Sequence, residues 1–170
     1  KEEQVSFDRG EPVVAIGAYC LMPNHFHILL TPLVEGGAAK FMQKVQTGYS
    51  MYFNNKYKRT GGLFEGRFKA EHAGGDTYLK YLFAYIHLNP VKLIQSDWKE
   101  KGINSPNKAL QYAKVYSYSS LPDYIGTNRP QRIILTPDIF PAYFLTVAST
   151  EANLLEWLTF KPLHKQAGPV

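Results

Sequence analysis

A chain of 170 residues with 45% hydrophobic content can bury a substantial core, so we expect one principal domain. The formal net charge of +5 at pH 7 is mildly basic, which is compatible with a polyanionic partner and does not establish one. No apolar run approaches the roughly 20 residues that a membrane-spanning helix needs, and no signal segment opens the chain, so no membrane partner is expected.

The first predicted element is an antiparallel β-hairpin. Residues 13–22 are apolar and typical of a strand, Pro23 and Asn24 supply turn chemistry, and a second apolar strand runs on to residue 32. The one cysteine, Cys20, lies inside the first strand, where we expect a small buried hydrophobe. A single cysteine excludes a disulfide framework and fits a reducing cytoplasm, which is the expected location of the protein.

Two histidines lie at the start of the second strand of the hairpin. His25 and His27 are separated by Phe26, so the side-chain period of a strand sends both imidazoles to one face and Phe26 to the other, where it is expected to anchor a core. Imidazoles about 6–7 Å apart along a strand can close on one divalent cation. The spacing alone favours two half-buried polar residues that bind nothing over a metal site.

A long helix and a third strand are predicted next. Apolar residues at helical spacing predict a helix over residues 37–56, with a stripe formed by Phe41, Met42, Val45, Tyr49, Tyr52 and Phe53. Alternation of side chains over residues 63–72 predicts a strand with one solvent-facing, partly basic side that carries Arg67 and Lys69. His72, at the end of this segment, is a candidate site residue or an ordinary edge histidine.

A second helix is predicted over residues 77–88. Asp76 is a suitable N-cap for it, and Pro90 should end it because proline disfavours helical geometry in the residue before it. The pattern weakens beyond this point. It predicts a loop over 98–107, a short helix and an irregular stretch over 112–124, and two short helices over 137–147 and 150–159.

The second helix carries a possible chemical pair. Tyr85 and Asn89 lie four residues apart, which places a phenol and an amide on one helix face, a turn from each other. If this helix packs opposite the histidine strand, the phenol would point at a metal-bound group, and a phenol attacking a polarised phosphate is covalent catalysis. The alternative is a core aromatic followed by a simple helix cap, and the sequence contains twelve tyrosines.

Four blocks of sequence together resemble a known family, the single-tyrosine HUH transposases, and most of all its branch of REP-associated tyrosine transposases. The blocks are Met22-Pro-Asn-His-Phe-His27, Thr47-Gly-Tyr49 with Phe53-Asn54, Gly62-Leu-Phe-Glu-Gly-Arg-Phe-Lys-Ala70 and Tyr85-Ile-His-Leu-Asn-Pro90. Their order and spacing match. Tyr118-Ser-Ser-Leu121 resembles the Trp-Ser-Ser-Tyr element of that branch, with the two end residues changed.

The resemblance implies a fold and a reaction. The implied fold is α+β, an antiparallel sheet with packed helices related to the ferredoxin-like and RNA-recognition folds. The implied reaction is cleavage and rejoining of single-stranded or hairpin DNA through a 5′-phosphotyrosine. By position, Tyr85 becomes the nucleophile and His25, His27 and Asn89 become the ligands of Mg²⁺ or Mn²⁺. No small-molecule substrate is implied.

The resemblance also implies how the chain is organised. We expect a flexible segment over residues 1–12, a catalytic domain over 13–125 and a C-terminal helical extension over 126–170 that packs on the domain. Members of the family begin with a strand and a helix ahead of the segment matching Val13, and twelve residues precede it here. We therefore expect the N-terminal strand and helix to be missing and a sheet edge to be left unpaired.

The basic residues of the third block are the candidate DNA contacts. Arg67 and Lys69 lie in a family block and on the solvent-facing side of a predicted strand, so we expect them to contact the DNA backbone, and Arg59 is a further candidate. Assembly is left open between a monomer and a homodimer.

Two other functions fit the same residues. One is a nucleic-acid-binding module that keeps the fold without turnover. The other is an unrelated metal-dependent phosphodiesterase in which His25 and His27 serve an activated water, a hypothesis that leaves the spacing of Tyr85 and Asn89 unexplained.

Overall fold

The computed structural model describes residues 10–143 and 146–159. Its strands are β1 (Val14–Leu21) and β2 (Phe26–Pro32), and its α-helices are α1 (Gly37–Tyr57), α2 (Asp76–Leu88), α3 (Trp98–Lys101), α4 (Pro106–Val115), α5 (Leu121–Tyr124) and α6 (Val147–Thr159). Short 3₁₀ helices cover Asn89–Leu93, Pro130–Ile134 and Pro137–Ile139. The fold is α+β, as expected. The expected flexible segment falls largely on residues 1–9, which lie outside the described residues.

The predicted hairpin is present and places the histidines. β1 and β2 pair antiparallel, with Cys20 opposite His27 and Leu21 opposite Phe26. The tight connection between them is closed by the Met22 N–H, which donates to the carbonyl oxygen of His25 at 2.8 Å. Cys20 is fully buried and free, and burial raises the pKa of its thiol to about 12, so it is the small hydrophobe that was predicted.

The outer edge of β1 is covered by a distant part of the chain, residues 118–120. The Leu21 N–H donates to the carbonyl oxygen of Tyr118 at 2.8 Å, and the Ser120 N–H donates to that of Tyr19 at 2.9 Å. Cys20 and Ser119 form a β-bridge between them. The sequence element Tyr118-Ser-Ser-Leu121 therefore supplies hydrogen bonds to the C-terminal end of β1, and among the described residues the sheet itself has two strands.

Helix α2 lies between the hairpin and the C-terminal helices. Phe83 and Ile86 pack with Ala18 and Cys20 of β1 and with Leu29 of β2. The opposite side of α2 enters a second cluster of buried apolar residues with α4 and α6, formed by Ala84, Leu88, Val91, Ala109, Leu110, Ala113, Leu121, Leu154 and Leu158. Burial of both sides fixes α2 in position, because each buried apolar side chain contributes about 1.5–3 kcal/mol.

Helix α2 also departs in detail from its prediction. Asp76 is its first residue rather than its N-cap, and Gly75 precedes it with no side-chain cap. An acidic residue in the first turn still opposes the positive end of the helix dipole. The helix ends at Leu88, and the chain continues through Pro90 as a 3₁₀ turn, since proline at the second position of a 3₁₀ helix needs no N–H donor.

Helix α1 is much more exposed than its apolar stripe suggested. Only Gly37 and Met42 of this helix are buried, while Tyr49 and Tyr52 keep 50% and 59% of their surface exposed. The reason is geometric: α1 contacts the small sheet near its N-terminus, where a Cβ on Gly37 would lie 2.2 Å from the carbonyl oxygen of Val13. The C-terminal half of α1 extends past the sheet.

The predicted strand over residues 63–72 is wrong. This segment is irregular, and Arg67 and Lys69 are exposed on it. Alternating side chains need a neighbouring strand to supply hydrogen bonds, and none of the described strands pairs with the segment.

Two predictions in the C-terminal half are also wrong. Residues 98–107 contain α3 and the start of α4 instead of a loop, and the helix expected over 137–147 is a single 3₁₀ turn at its start, with 144–145 outside the described residues. None of the helices within 10–143 and 146–159 has the length and apolar character needed to cross a membrane.

A buried ion pair holds the segment that covers β1. Arg129 Nη2 lies 2.5 Å from Asp123 Oδ2, and the two side chains are only 12% and 0% exposed. The same guanidinium donates to the carbonyl oxygen of Ser117 at 2.8 Å and to the hydroxyl of Tyr19 at 3.2 Å. The pair therefore ties α5 to β1.

We predict that Asp123→Asn lowers the free energy of unfolding by about 3–5 kcal/mol, because it leaves the buried guanidinium without its counter-charge. Urea unfolding followed by circular dichroism measures the change. The control is Asp97→Asn, which breaks the exposed pair with Lys101 and should leave the free energy of unfolding almost unchanged, because solvent screens such a pair. Equal losses in the two variants would contradict the assigned role of Asp123.

Candidate functional site

A groove of about 2350 Å³ opens between the hairpin, α1, α2 and the irregular segment 63–73. Its walls are mostly apolar or aromatic. The polar and ionisable side chains along it include His25, His27, Glu65, Arg67, Lys69, Glu71, His72, Tyr78, Tyr81 and Tyr85. A groove of this volume exceeds the roughly 300–1,000 Å³ of a pocket for a small ligand.

Three of the predicted site residues lie in contact in this groove. The ring centroids of His25 and His27 are 5.1 Å apart and their planes meet at 85°. The ring of Tyr85 lies 5.3 Å from His27, again nearly perpendicular to it. The structure thus brings two strand-borne imidazoles and a helix-borne phenol into one continuous set of rings.

The local sequence explains how the histidines are held. His25 lies one residue before β2, and its Nδ1 is 2.7 Å from Oδ1 of Asn24 in the turn. His27 is in the ladder opposite Cys20. Phe26 points away from them and packs edge-on against Phe64 of the irregular segment, with centroids 6.2 Å apart.

Burial, more than the charges around it, keeps His27 neutral. Burial, followed by the nearby His25, Lys92 and Lys99, lowers the pKa of His27 to about 4. An imidazole with such a pKa is unprotonated at pH 7 and keeps a free lone pair, as a metal ligand must.

Asn89 occupies a different environment. It is fully buried at the end of α2, outside the groove lining, and its Nδ2 donates to the carbonyl oxygen of Tyr85 at 3.2 Å. Its Oδ1 is buried without a hydrogen-bond partner, which leaves a carbonyl oxygen available as a ligand.

The structure brings two of the three predicted ligands together, His25 and His27, while Asn89 is buried outside the groove that they line. Across the part of the chain that the structure describes, no cluster of three or more His, Cys, Asp or Glu side chains is arranged to hold a metal. Imidazole nitrogens and an unpartnered amide oxygen are acceptable ligands for Mn²⁺ or Mg²⁺, whose remaining positions water or phosphate oxygens can fill.

The predicted DNA contacts separate into two groups. Arg67 and Lys69 are exposed and line the groove, although on an irregular segment rather than a strand. Arg59 does not line it: its guanidinium lies 5.6 Å from the ring centroid of Phe53, with Nη2 3.5 Å from the carbonyl oxygen of Gly62.

Two notable residues were not found from the sequence. Lys99 of α3 places its ammonium 3.7 Å from the ring centroid of Tyr85. His87 is fully buried, with Nε2 2.8 Å from the Ser120 hydroxyl, and burial lowers its pKa to about 3. Lys99 is 14 residues from Tyr85, and His87 is 33 residues from Ser120. Contacts over such separations have no signal in the local sequence.

The fold and the site define a class of protein: an α+β domain whose hairpin presents paired histidines to a tyrosine on a packed helix. Residues 11–89 match the family model described as "Transposase IS200 like". Over residues 11–89 the chain is therefore similar to this family of transposases. The matched segment contains His25, His27, Tyr85 and Asn89.

Similarity to this family supports DNA as the partner and a transposase-like, DNA-cleaving activity. Comparisons with curated proteins and with solved structures give no match.

We predict that replacing both Arg67 and Lys69 by Ala weakens binding of single-stranded DNA and flattens its salt dependence. Each lost phosphate contact should reduce the slope of log K against log salt by about 0.7. Fluorescence anisotropy over a salt series measures the slope.

Lys108→Ala is the matched control, because Lys108 is exposed on α4 and away from the groove. An unchanged slope in the double variant would exclude Arg67 and Lys69 as phosphate contacts.

Proposed function

We propose that this chain is a single-strand DNA endonuclease and strand transferase that works through a 5′-phosphotyrosine on Tyr85. The observation that carries the proposal is the contact series from His25 through His27 to Tyr85, with ring centroids 5.1 and 5.3 Å apart, along a groove larger than a small-ligand pocket. We also propose that the chain is a member of the REP-associated branch, because its sequence blocks resemble those of that branch.

The covalent step follows from a phenol beside a bound phosphodiester. The Tyr85 oxygen loses its proton to water and attacks phosphorus, and one P–O bond forms while the bond from phosphorus to the 3′ oxygen breaks. The 3′ oxygen leaves with a proton taken from water, and the 5′ end stays on the tyrosine. Attack by a 3′ hydroxyl reverses every change and rejoins the strand.

His25, His27 and Asn89 would hold the divalent ion. When bound, Mg²⁺ or Mn²⁺ polarises the phosphate and neutralises part of its charge. The lowered pKa of His27 keeps this imidazole neutral at pH 7, and Asn24 orients the ring of His25.

The groove would bind the strand on both sides of the reacting phosphate. Arg67 and Lys69 are free to contact the backbone, and exposed aromatic rings such as Tyr118, which lines the same groove, are suited to stack on unpaired bases. Such contacts favour a single strand or the end of a hairpin over a continuous duplex.

We predict that Tyr85→Phe abolishes formation of a covalent DNA adduct and leaves DNA affinity within about 2-fold, since only the attacking oxygen is lost. The protein is incubated with labelled single-stranded hairpin DNA and Mn²⁺, run on a denaturing gel and mapped by mass spectrometry.

Tyr81→Phe is the matched control, because Tyr81 is on the same helix with its ring 5.9 Å from that of Tyr85. A hydrolysed product that persists in Tyr85→Phe would favour the water-based phosphodiesterase. Binding without any adduct in folded, metal-loaded protein would favour the module that only binds DNA.

We predict that His27→Ala weakens Mn²⁺ binding at least 10-fold, because it removes a neutral imidazole from the donor set. Isothermal titration calorimetry measures the affinity without DNA, and Asn89→Ala tests the buried amide in the same way.

His72→Ala is the control, since His72 is exposed in the same groove and outside the proposed donor set. Equal losses from His72 and His27 would contradict the assignment.

A further inference from the structure

Lys99 is held against the face of the Tyr85 ring. Its Nζ lies 3.7 Å from the centroid of that ring and 5.6 Å from the ring of Trp98, the preceding residue on α3. The Tyr85 contact is well inside the range of about 6 Å at which a cation is attracted by the electrons of an aromatic face.

The environment of this ammonium is unusual for a lysine. The side chain is half-buried, and none of the ion pairs among the described residues includes it. Burial and the neighbouring Lys92 lower the pKa of Lys99 to about 8, while Glu100 opposes them. A cation placed in this way without an ion-pair partner reduces stability unless another interaction offsets the cost.

The reaction of a phenol creates negative charge next to this cation. When the phenol becomes a phenolate, the charge spreads into the ring, and attraction to a cation on the ring face increases. The same charge reappears when the tyrosine departs as a leaving group during rejoining. A fixed ammonium therefore favours the transition state of both steps without changing how tightly DNA binds.

We propose that Lys99 is a positioning residue for Tyr85, which orients the ring and stabilises the charge that develops on the phenol in both cleavage and rejoining. This inference rests on the proposed function. It adds to the two histidines and the tyrosine a residue of α3, outside the segment that matches the family.

The first test compares single-turnover rates of cleavage and of rejoining from isolated adduct in the full chain. Lys99→Met should slow both about 30-fold, the effect of losing a partly desolvated cation–π contact. Lys99→Arg should recover most of the rate, since a guanidinium also stacks on aromatic faces. DNA affinity should stay within about 2-fold in each variant.

The matched control is Lys56→Met. Lys56 lies 5.4 Å from the ring of Tyr57 and 5.6 Å from that of Tyr52 on exposed α1, so its replacement removes a similar contact away from the site. Its rates should equal those of the unmodified protein. Lys99→Gln, which also removes the charge, is measured in parallel with Lys99→Met. Equal effects in the two variants exclude a folding defect that only methionine causes.

The second test separates charge stabilisation from simple packing. Difluorotyrosine at position 85 gives a more acidic phenol, whose anion depends less on a nearby cation for stabilisation. The factor by which Lys99→Met slows cleavage should therefore be several-fold smaller with difluorotyrosine than with tyrosine. A packing role would leave that loss unchanged.

Three results would overturn the inference: equal rates in Lys99→Met and the unmodified protein, a rate loss matched by an equal loss of DNA affinity, or no effect of fluorination. Absence of any adduct from the unmodified protein is distinguishable from these, because it would reject the proposed function and the role of Lys99 with it.

Discussion

The position of the site depends on one buried hydrogen-bonded group, the hydroxyl of Ser120. It accepts the N–H of Tyr19 in β1 at 2.9 Å and lies 2.8 Å from Nε2 of His87 in α2. Ser120 and His87 are both fully buried, and burial keeps His87 neutral. Through this hydroxyl the edge of the hairpin is connected to the helix that carries Tyr85. Buried hydrogen bonds of this kind are costly to leave unmade, which fixes the relative register of the two elements.

The consequence is a site assembled from parts of different rigidity. His27 and Tyr85 are on a paired strand and a helix packed on two sides, so their 5.3 Å separation is set by the core. Arg67 and Lys69 are on an irregular, exposed segment that can adapt to a DNA backbone. A covalent step needs reacting groups in fixed positions, whereas phosphate contacts tolerate variation. The arrangement matches these different needs.

Local signals in the sequence predicted the hairpin and the helix, and longer-range contacts decided the rest. Pro23 and Asn24 marked a turn, and Pro90 marked the end of α2, because each acts on its own neighbours. The strand over 63–72 failed because alternation says nothing of whether a partner strand is present. The proximity of His25 and His27 followed from their spacing in the sequence. The contact of Lys99 with Tyr85 depends on the path of the chain after Asn89, which the periodicity of the sequence does not predict.

Two partly buried cations, Arg129 and Lys99, have different roles, because one stabilises the fold and the other lies beside the proposed nucleophile. Arg129 has Asp123 at 2.5 Å and three further oxygen acceptors, so its charge is fully compensated and it holds α5 on β1. Lys99 has the faces of two aromatic rings and, among the described residues, no ion-pair partner. A compensated charge contributes nothing further when a new charge forms nearby, because its field is already cancelled by its partner. An uncompensated one gains attraction as soon as negative charge appears, and the phenol of Tyr85 is where the proposed reaction creates it.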